Sequence, residues 1–130
     1  MEERMKKEEL IKVIEDLGIS YEEFWILSSS ALVLRDLFPD AGDLDIAVTE
    51  EGLRQLQDKY DLKQKENGWY IVNDKVECVV DTKEPWKIEK YGKYQLESID
   101  KYFKYLENST REKDKIRYEI VKEYMSKRSK

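Results

Sequence analysis

The segment Asp43-Leu-Asp-Ile-Ala-Val48 constrains the fold more than any other stretch of the chain. Leu44, Ile46 and Val48 alternate with Asp43, Asp45 and Ala47, and a period of two sends the first set to one face of a strand and the second to the other. The apolar face must be covered, so the strand belongs in a sheet with helices packed against it. The opposite face carries two carboxylates, which a packed core does not accept without partners. The chain therefore has to build a sheet that is closed on one side and open to a polar cleft on the other.

The flanking sequence supplies the rest of that sheet. Leu10, Ile11, Ile14 and Leu17 recur at helical spacing and Gly18 follows as a left-handed stop, which predicts an amphipathic helix over 3–17. Phe24-Trp-Ile-Leu27 reads as a buried strand. After Ser28-Ser-Ser30, residues 31–38 read as a helix capped by serine and stopped at Pro39. Thr49 is a cap for a helix carrying Leu53, Leu56 and Tyr60. Asn67-Gly68 between two β-rich runs predicts a tight hairpin with positive φ at both residues, and Asn73-Asp74 a second turn into 75–80. Together they make a three-stranded meander. Residues 82–96 read as a loop rich in Lys, Trp and Tyr. Ser98 opens a helix running through Leu106, and Ser109-Thr-Arg-Glu112 has the form of a capping box for a last helix. The expectation is one α/β (α+β) domain over 1–130, with a mixed sheet of about four or five strands, flanking helices and a C-terminal helical pair.

Composition narrows the chemistry. The chain has no histidine and one cysteine, which excludes Ser-His-Asp and Cys-His catalysis, His-ligated zinc and an internal disulfide. Any metal would need oxygen ligands, hence a hard cation such as Mg²⁺ or Mn²⁺. Cys78 alternates with Val76 and Val80 and reads as core. Net charge is −5, so bulk electrostatics does not favour nucleic acid, although residues 111–130 carry eight basic against four acidic side chains. The N-terminal residues lack the apolar run of a secretion signal, and no stretch approaches a bilayer span of roughly 20 apolar residues. A cytoplasmic protein without membrane contact is expected.

Asp43 and Asp45 leave the same strand face, close enough to share a divalent cation. Glu77 lies mid-strand in Val76-Glu-Cys78 as a third acid, with Asp81 on the same side as its competitor. Ser28, Ser29 and Ser30 lie at a strand-to-helix turn, where backbone N–H groups favour phosphate. Arg111 and Lys113 sit in the first turn of a helix, where cations oppose the macrodipole and so call for a partner, which could be Asp100, Glu107 or a phosphate.

In order, Ser28-Ser-Ser-Ala-Leu-Val-Leu-Arg35, thirteen residues between Ser29 and Asp43, Asp43-Leu-Asp-Ile46 and Val76-Glu-Cys78 resemble the signature of the nucleotidyltransferase superfamily, whose fold is that of DNA polymerase β. Leu96-Glu-Ser-Ile99 and Arg111-Glu-Lys-Asp114 are similar to later motifs of its small bacterial and phage members, related to abortive-infection nucleotidyltransferase toxins. The likeness covers residues 24–124. It departs at Ser28 and Ser29, which stand where that family has glycines, and the usual lysine of the penultimate helix has no clean counterpart among Lys101 and Lys104.

The resemblance implies transfer of a nucleoside monophosphate from an NTP to an acceptor such as RNA or protein, with Asp43, Asp45 and Glu77 as metal ligands and catalytic acids. Ser28, Ser29, Ser30, Arg111 and Lys113 would then hold the nucleotide. The alternative is a catalytically silent member of the fold that binds a nucleotide or a partner protein, as in a toxin–antitoxin pair.

Overall fold

The computed structural model describes residues 4–81 and 87–128. Its elements in chain order are α1 (Lys7–Asp16), β1 (Phe24–Ile26), α2 (Ser28–Leu34), β2 (Leu44–Val48), α3 (Glu50–Lys59), β3 (Lys63–Gln64), β4 (Tyr70–Ile71), β5 (Val76–Val80), β6 (Ile88–Tyr91), β7 (Tyr94–Glu97), α4 (Ile99–Asn108) and α5 (Glu112–Arg128). The seven strands form one mixed sheet in the order β3-β4-β5-β2-β1-β7-β6. The α/β class, the meander β3-β4-β5 and the helical pair α4/α5 are as expected from the sequence. The strand count is not.

The extra strands come from the tract read as a loop. Residues 88–97 form a hairpin, with Tyr91 opposite Tyr94 and Lys90 opposite Gln95. Gly92 turns it at φ +64 while Lys93 has no positive φ, the pattern of a type II′ turn. Lys90 lies exposed on this outermost strand, as suits an unpaired edge. The part of that reading over residues 82–86 lies outside the described residues.

The apolar alternation of β2 works as the sequence requires. Leu44, Ile46 and Val48 join Phe24, Ile26, Val76, Cys78 and Leu96 in the main core, against Leu10 and Ile14 of α1, Val33 of α2 and Leu56 of α3. A second cluster centres on Leu32, Ile99, Tyr102, Leu106 and Val121. It fastens the α4/α5 pair to the body through α2.

Several boundaries differ for physical reasons. Helix α1 starts at Lys7, because Met5 is taken by an antiparallel bridge whose N–H donates to the Ala41 oxygen at 2.8 Å. Helix α2 begins at the serines, without a side-chain cap. It stops well before Pro39: Asp36 takes φ +63, and the N–H of Leu37 donates to Leu32 O at 2.9 Å in a Schellman closure. Thr49 caps α3 as expected, its Oγ1 accepting from Gly52 N–H at 3.0 Å. The turn before β4 spans Lys65 to Gly68, closed by Gly68 N–H on Lys65 O at 3.0 Å. Only Gly68, at φ +93, is left-handed there. Leu96 and Glu97 finish β7, so only Ile99 of that motif is helical. Ser109 does not form a reciprocal box with Glu112; its hydroxyl accepts from Arg111 N–H and donates to Asp114.

Candidate functional site

Strand β2 pairs parallel with β5, and the register sets Asp45 directly beside Glu77. Paired residues on parallel neighbours share a face, so the two carboxylates stand on the side of the sheet away from the main core. Asp81 follows β5, its N–H donating to Val48 O at 2.9 Å, and so belongs to the far end of the strands from Asp43. Of the two competitors for third acid, only Glu77 lies beside Asp45. Lys65 Nζ donates to Glu77 Oε1 at 2.9 Å.

Asp43 and Asp45 open onto a pocket of about 440 Å³. Ser28 and Ser29 form one wall, and Gly42 lies next to the acids. The facing wall comes from the helical pair: Tyr102 and Tyr105 of α4, then Arg111, Lys113, Asp114 and Arg117. Arg4 completes the rim, paired with Asp40 at 2.6 Å. Six of the residues singled out from sequence therefore meet here: Ser28, Ser29, Asp43, Asp45, Arg111 and Lys113. Two do not line it. Glu77 stands one strand behind Asp45, and Ser30 is buried with its hydroxyl donating to Asp43 O at 2.8 Å, fastening α2 to the start of β2.

Electrostatics inside the pocket is divided. Burial, with the negative charges of Asp43 and then Glu77, pushes the Asp45 carboxyl up to about 6; Lys65 and Lys113 pull against the shift. Two like charges held near a third in a partly dry place favour either a proton or a cation. Among the described residues no three acids gather closely enough to hold a metal by themselves. The carboxylate partner of Arg111 is neither Asp100 nor Glu107. It is Asp114, almost fully buried, which takes Arg111 Nε at 3.2 Å, Arg117 Nη1 at 3.4 Å and the Ser109 hydroxyl at 2.7 Å. One carboxylate thereby orients two guanidinium groups toward the pocket.

The sequence did not single out Arg4, Asp114 or Arg117 as site residues, and it marks Tyr102, Phe103 and Tyr105 as packing, with a tyrosine stacked on a base as the alternative. Asp114 lay inside the Arg111-Glu-Lys-Asp114 stretch and its position was the available signal. Tyr102 and Tyr105, three apart on α4, stack with ring centroids 6.0 Å apart and planes 11° from parallel. Tyr102 is core, whereas Tyr105 is 49% exposed over the pocket. Burial pushes the Tyr102 phenol up to about 12. Its hydroxyl and Arg117 Nε are both buried, and the neighbouring Arg117 guanidinium holds the shift back. Arg4 had no sequence signal. Cys78 is buried, its thiol pushed up to about 11 by burial, as befits a core residue. No helix among the described residues is long and apolar enough to cross a membrane. Comparison with known proteins finds no family model, no curated protein and no solved structure that matches this chain.

Proposed function

We propose that the pocket binds a nucleoside triphosphate together with a divalent cation, and that the chain is a nucleotidyltransferase acting on an acceptor hydroxyl of RNA or protein. The observation that carries this reading is the meeting of Asp43 and Asp45 with Arg111, Lys113, Ser28 and Ser29 around one pocket. Acids alone would suit a cation and bases alone an anion. Both across about 440 Å³ suit a metal-bound polyphosphate.

The donor set fits Mg²⁺ or Mn²⁺: only oxygen ligands are at hand, and the raised Asp45 carboxyl marks negative charge that a cation would relieve. Asp43 and Asp45 would hold it, with Glu77 beside them and phosphate or water oxygens filling the shell. Bound there, it would neutralise phosphoryl charge and steady the leaving group. The chain's own groups do the rest. Lys113 and Arg111 bind phosphate oxygens, the guanidinium held in place by Asp114. The Ser28 and Ser29 hydroxyls donate to the same oxygens. Tyr105, braced from below by Tyr102, gives a base a flat surface to stack on. Glu77, beside Asp45 and with Oε2 not engaged by Lys65, would take the acceptor's proton.

Calorimetric titration with each of the four NTPs, with and without Mg²⁺, tests the binding step; release of pyrophosphate in the presence of RNA or protein tests the transfer. Mg²⁺-dependent binding that is lost in Asp45→Asn is the expected result, and absence of binding for all four overturns the reading. Binding without pyrophosphate release would instead support the silent nucleotide-binding module. One observation favours that second reading: Glu77, the third acid, does not line the pocket onto which Asp43 and Asp45 open.

A further inference from the structure

The serine wall of the pocket is held from behind by a carboxylate outside it. Ser28 stands at φ +54, a conformation that L side chains adopt only against steric resistance. Its N–H donates to Glu97 Oε1 at 3.3 Å. Glu97, the last residue of β7, is itself fixed: its carbonyl oxygen accepts from Arg35 Nη2 at 3.0 Å, and the same Nη2 reaches Glu89 Oε1 at 2.9 Å. Glu89 Oε2 in turn accepts from Ile99 N–H at 3.1 Å, at the start of α4. A half-buried polar chain thus connects the Ser28 turn, the edge hairpin and the helix that carries Tyr102 and Tyr105.

We propose that Glu97 is a positioning residue for the pocket: its carboxylate holds the Ser28 amide, and thereby the left-handed turn that presents Ser28 and Ser29 to a ligand. The inference rests on the nucleotide reading of that pocket for its ligand, though not for the turn itself. A charged acceptor is suited to the task because a charge-assisted bond is stronger than a neutral one and offsets the strain at Ser28. The groups facing Glu97 are Arg35 from α2, Lys101 and Tyr102 from α4, and Glu89 on β6 across Arg35. Burial raises its carboxyl above the ordinary glutamate range, against the Ser28 N–H, Lys101 and Arg35, which hold it down. Mild acid therefore weakens the hold earlier than it would at an exposed glutamate.

The test uses the full chain, ¹⁵N-labelled, in wild type, Glu97→Gln, Glu97→Ala and Ser28→Gly forms. The Ser28 amide resonance should titrate in the wild type with a midpoint above the ordinary value of about 4.3, and that titration should vanish in Glu97→Gln. Calorimetry with Mg·ATP should show Glu97→Ala weakening binding about tenfold and Glu97→Gln, which keeps an acceptor oxygen, staying within about threefold of wild type. In the Ser28→Gly background Glu97→Ala should cost less than about threefold, since glycine takes the left-handed turn unaided. Equal losses in both backgrounds, or a Ser28 titration that persists in Glu97→Gln, would overturn the proposal. If the wild type binds none of the four NTPs with Mg²⁺, the nucleotide reading falls. The amide titration, with the same Ser28/Glu97 cycle read from melting temperatures, then decides the role of Glu97 without it.

Discussion

Ser28 and Ser29 are chemically identical neighbours in opposite backbone states, and glycine should affect them with opposite sign. At φ +54, Ser28 bears a left-handed cost of about 1–2 kcal/mol that glycine does not. Ser28→Gly is expected to raise the melting temperature by a few degrees. Ser29 lies inside α2 without positive φ, so Ser29→Gly should lower stability by about 0.5–1 kcal/mol. Thermal unfolding of the two single variants checks this, and shifts of the same sign would contradict the geometry. Asp45 gives a second prediction. Its folded carboxyl titrates at about 6 against an ordinary 3.8, so between those values the folded chain keeps a proton that the unfolded chain has released. Stability from this group falls as pH rises through that window, and the cost persists above it. Asp45→Asn should therefore melt a few degrees higher than wild type at pH 8 and show no gain at pH 4. Mg²⁺ should raise the melting temperature of the wild type more than that of the variant. A lower melting temperature for the variant at pH 8 would identify Asp45 as a structural acceptor instead.

Helix α3 shows how an element is placed by contacts that propensity does not foresee. A glycine in a helix ordinarily costs about 1 kcal/mol relative to alanine. At Gly52, however, an added Cβ would come within 2.5 Å of Glu23 O and 3.1 Å of Val48 Cβ. Gly52→Ala should thus destabilise by about 1–3 kcal/mol, the range for overpacking, and a rise in melting temperature would refute the close approach. The same distinction between local and long-range causes explains what could be read in advance. The two-sided strand around Asp45, the Thr49 cap, the meander and the α4/α5 pair follow from period, cap chemistry and turn residues close in sequence. The third acid that came with the resemblance, Glu77, is set beside Asp45 by the register, but it does not line the pocket that Asp43 and Asp45 open onto. Illegible were features settled across the sheet or by a few atoms. The β6–β7 hairpin carries a Gly-Lys turn signal that the surrounding lysines and aromatics masked. The stop of α2 depends on a left-handed Asp36 held also by Lys7, whose Nζ lies 3.0 Å from its carboxylate. The pairing of Arg111 with a buried Asp114 depends on side-chain packing between two helices.

At the scale of the whole molecule the pocket has two halves with different supports. Its acids stand on the central sheet strand, whose apolar face is anchored in the main core. Lys113 and Arg117 stand on α5, with Arg111 just before it, and α5 reaches the body through the second cluster, around Leu32, Ile99, Tyr102, Leu106 and Val121. The distance between acid and base is therefore a property of that second cluster, and a change far from any ligand atom should alter binding. Val121 is completely buried there, and it lies eight residues beyond Lys113 along the helix. Val121→Ala removes two methyl groups from that contact and should cost about 2 kcal/mol through lost burial and a small cavity. The melting temperature should fall by several degrees. Well below the transition, affinity for Mg·ATP should also fall by several-fold, because looser seating lets Arg111 and Lys113 drift from the acids. Inorganic triphosphate without Mg²⁺, which would engage the cations and not the carboxylates, should be less affected than Mg·ATP. If Mg·ATP affinity stays at the wild-type value while the melting temperature drops, Asp114 and the Arg111 and Arg117 pairs hold the cationic wall in place without help from the cluster.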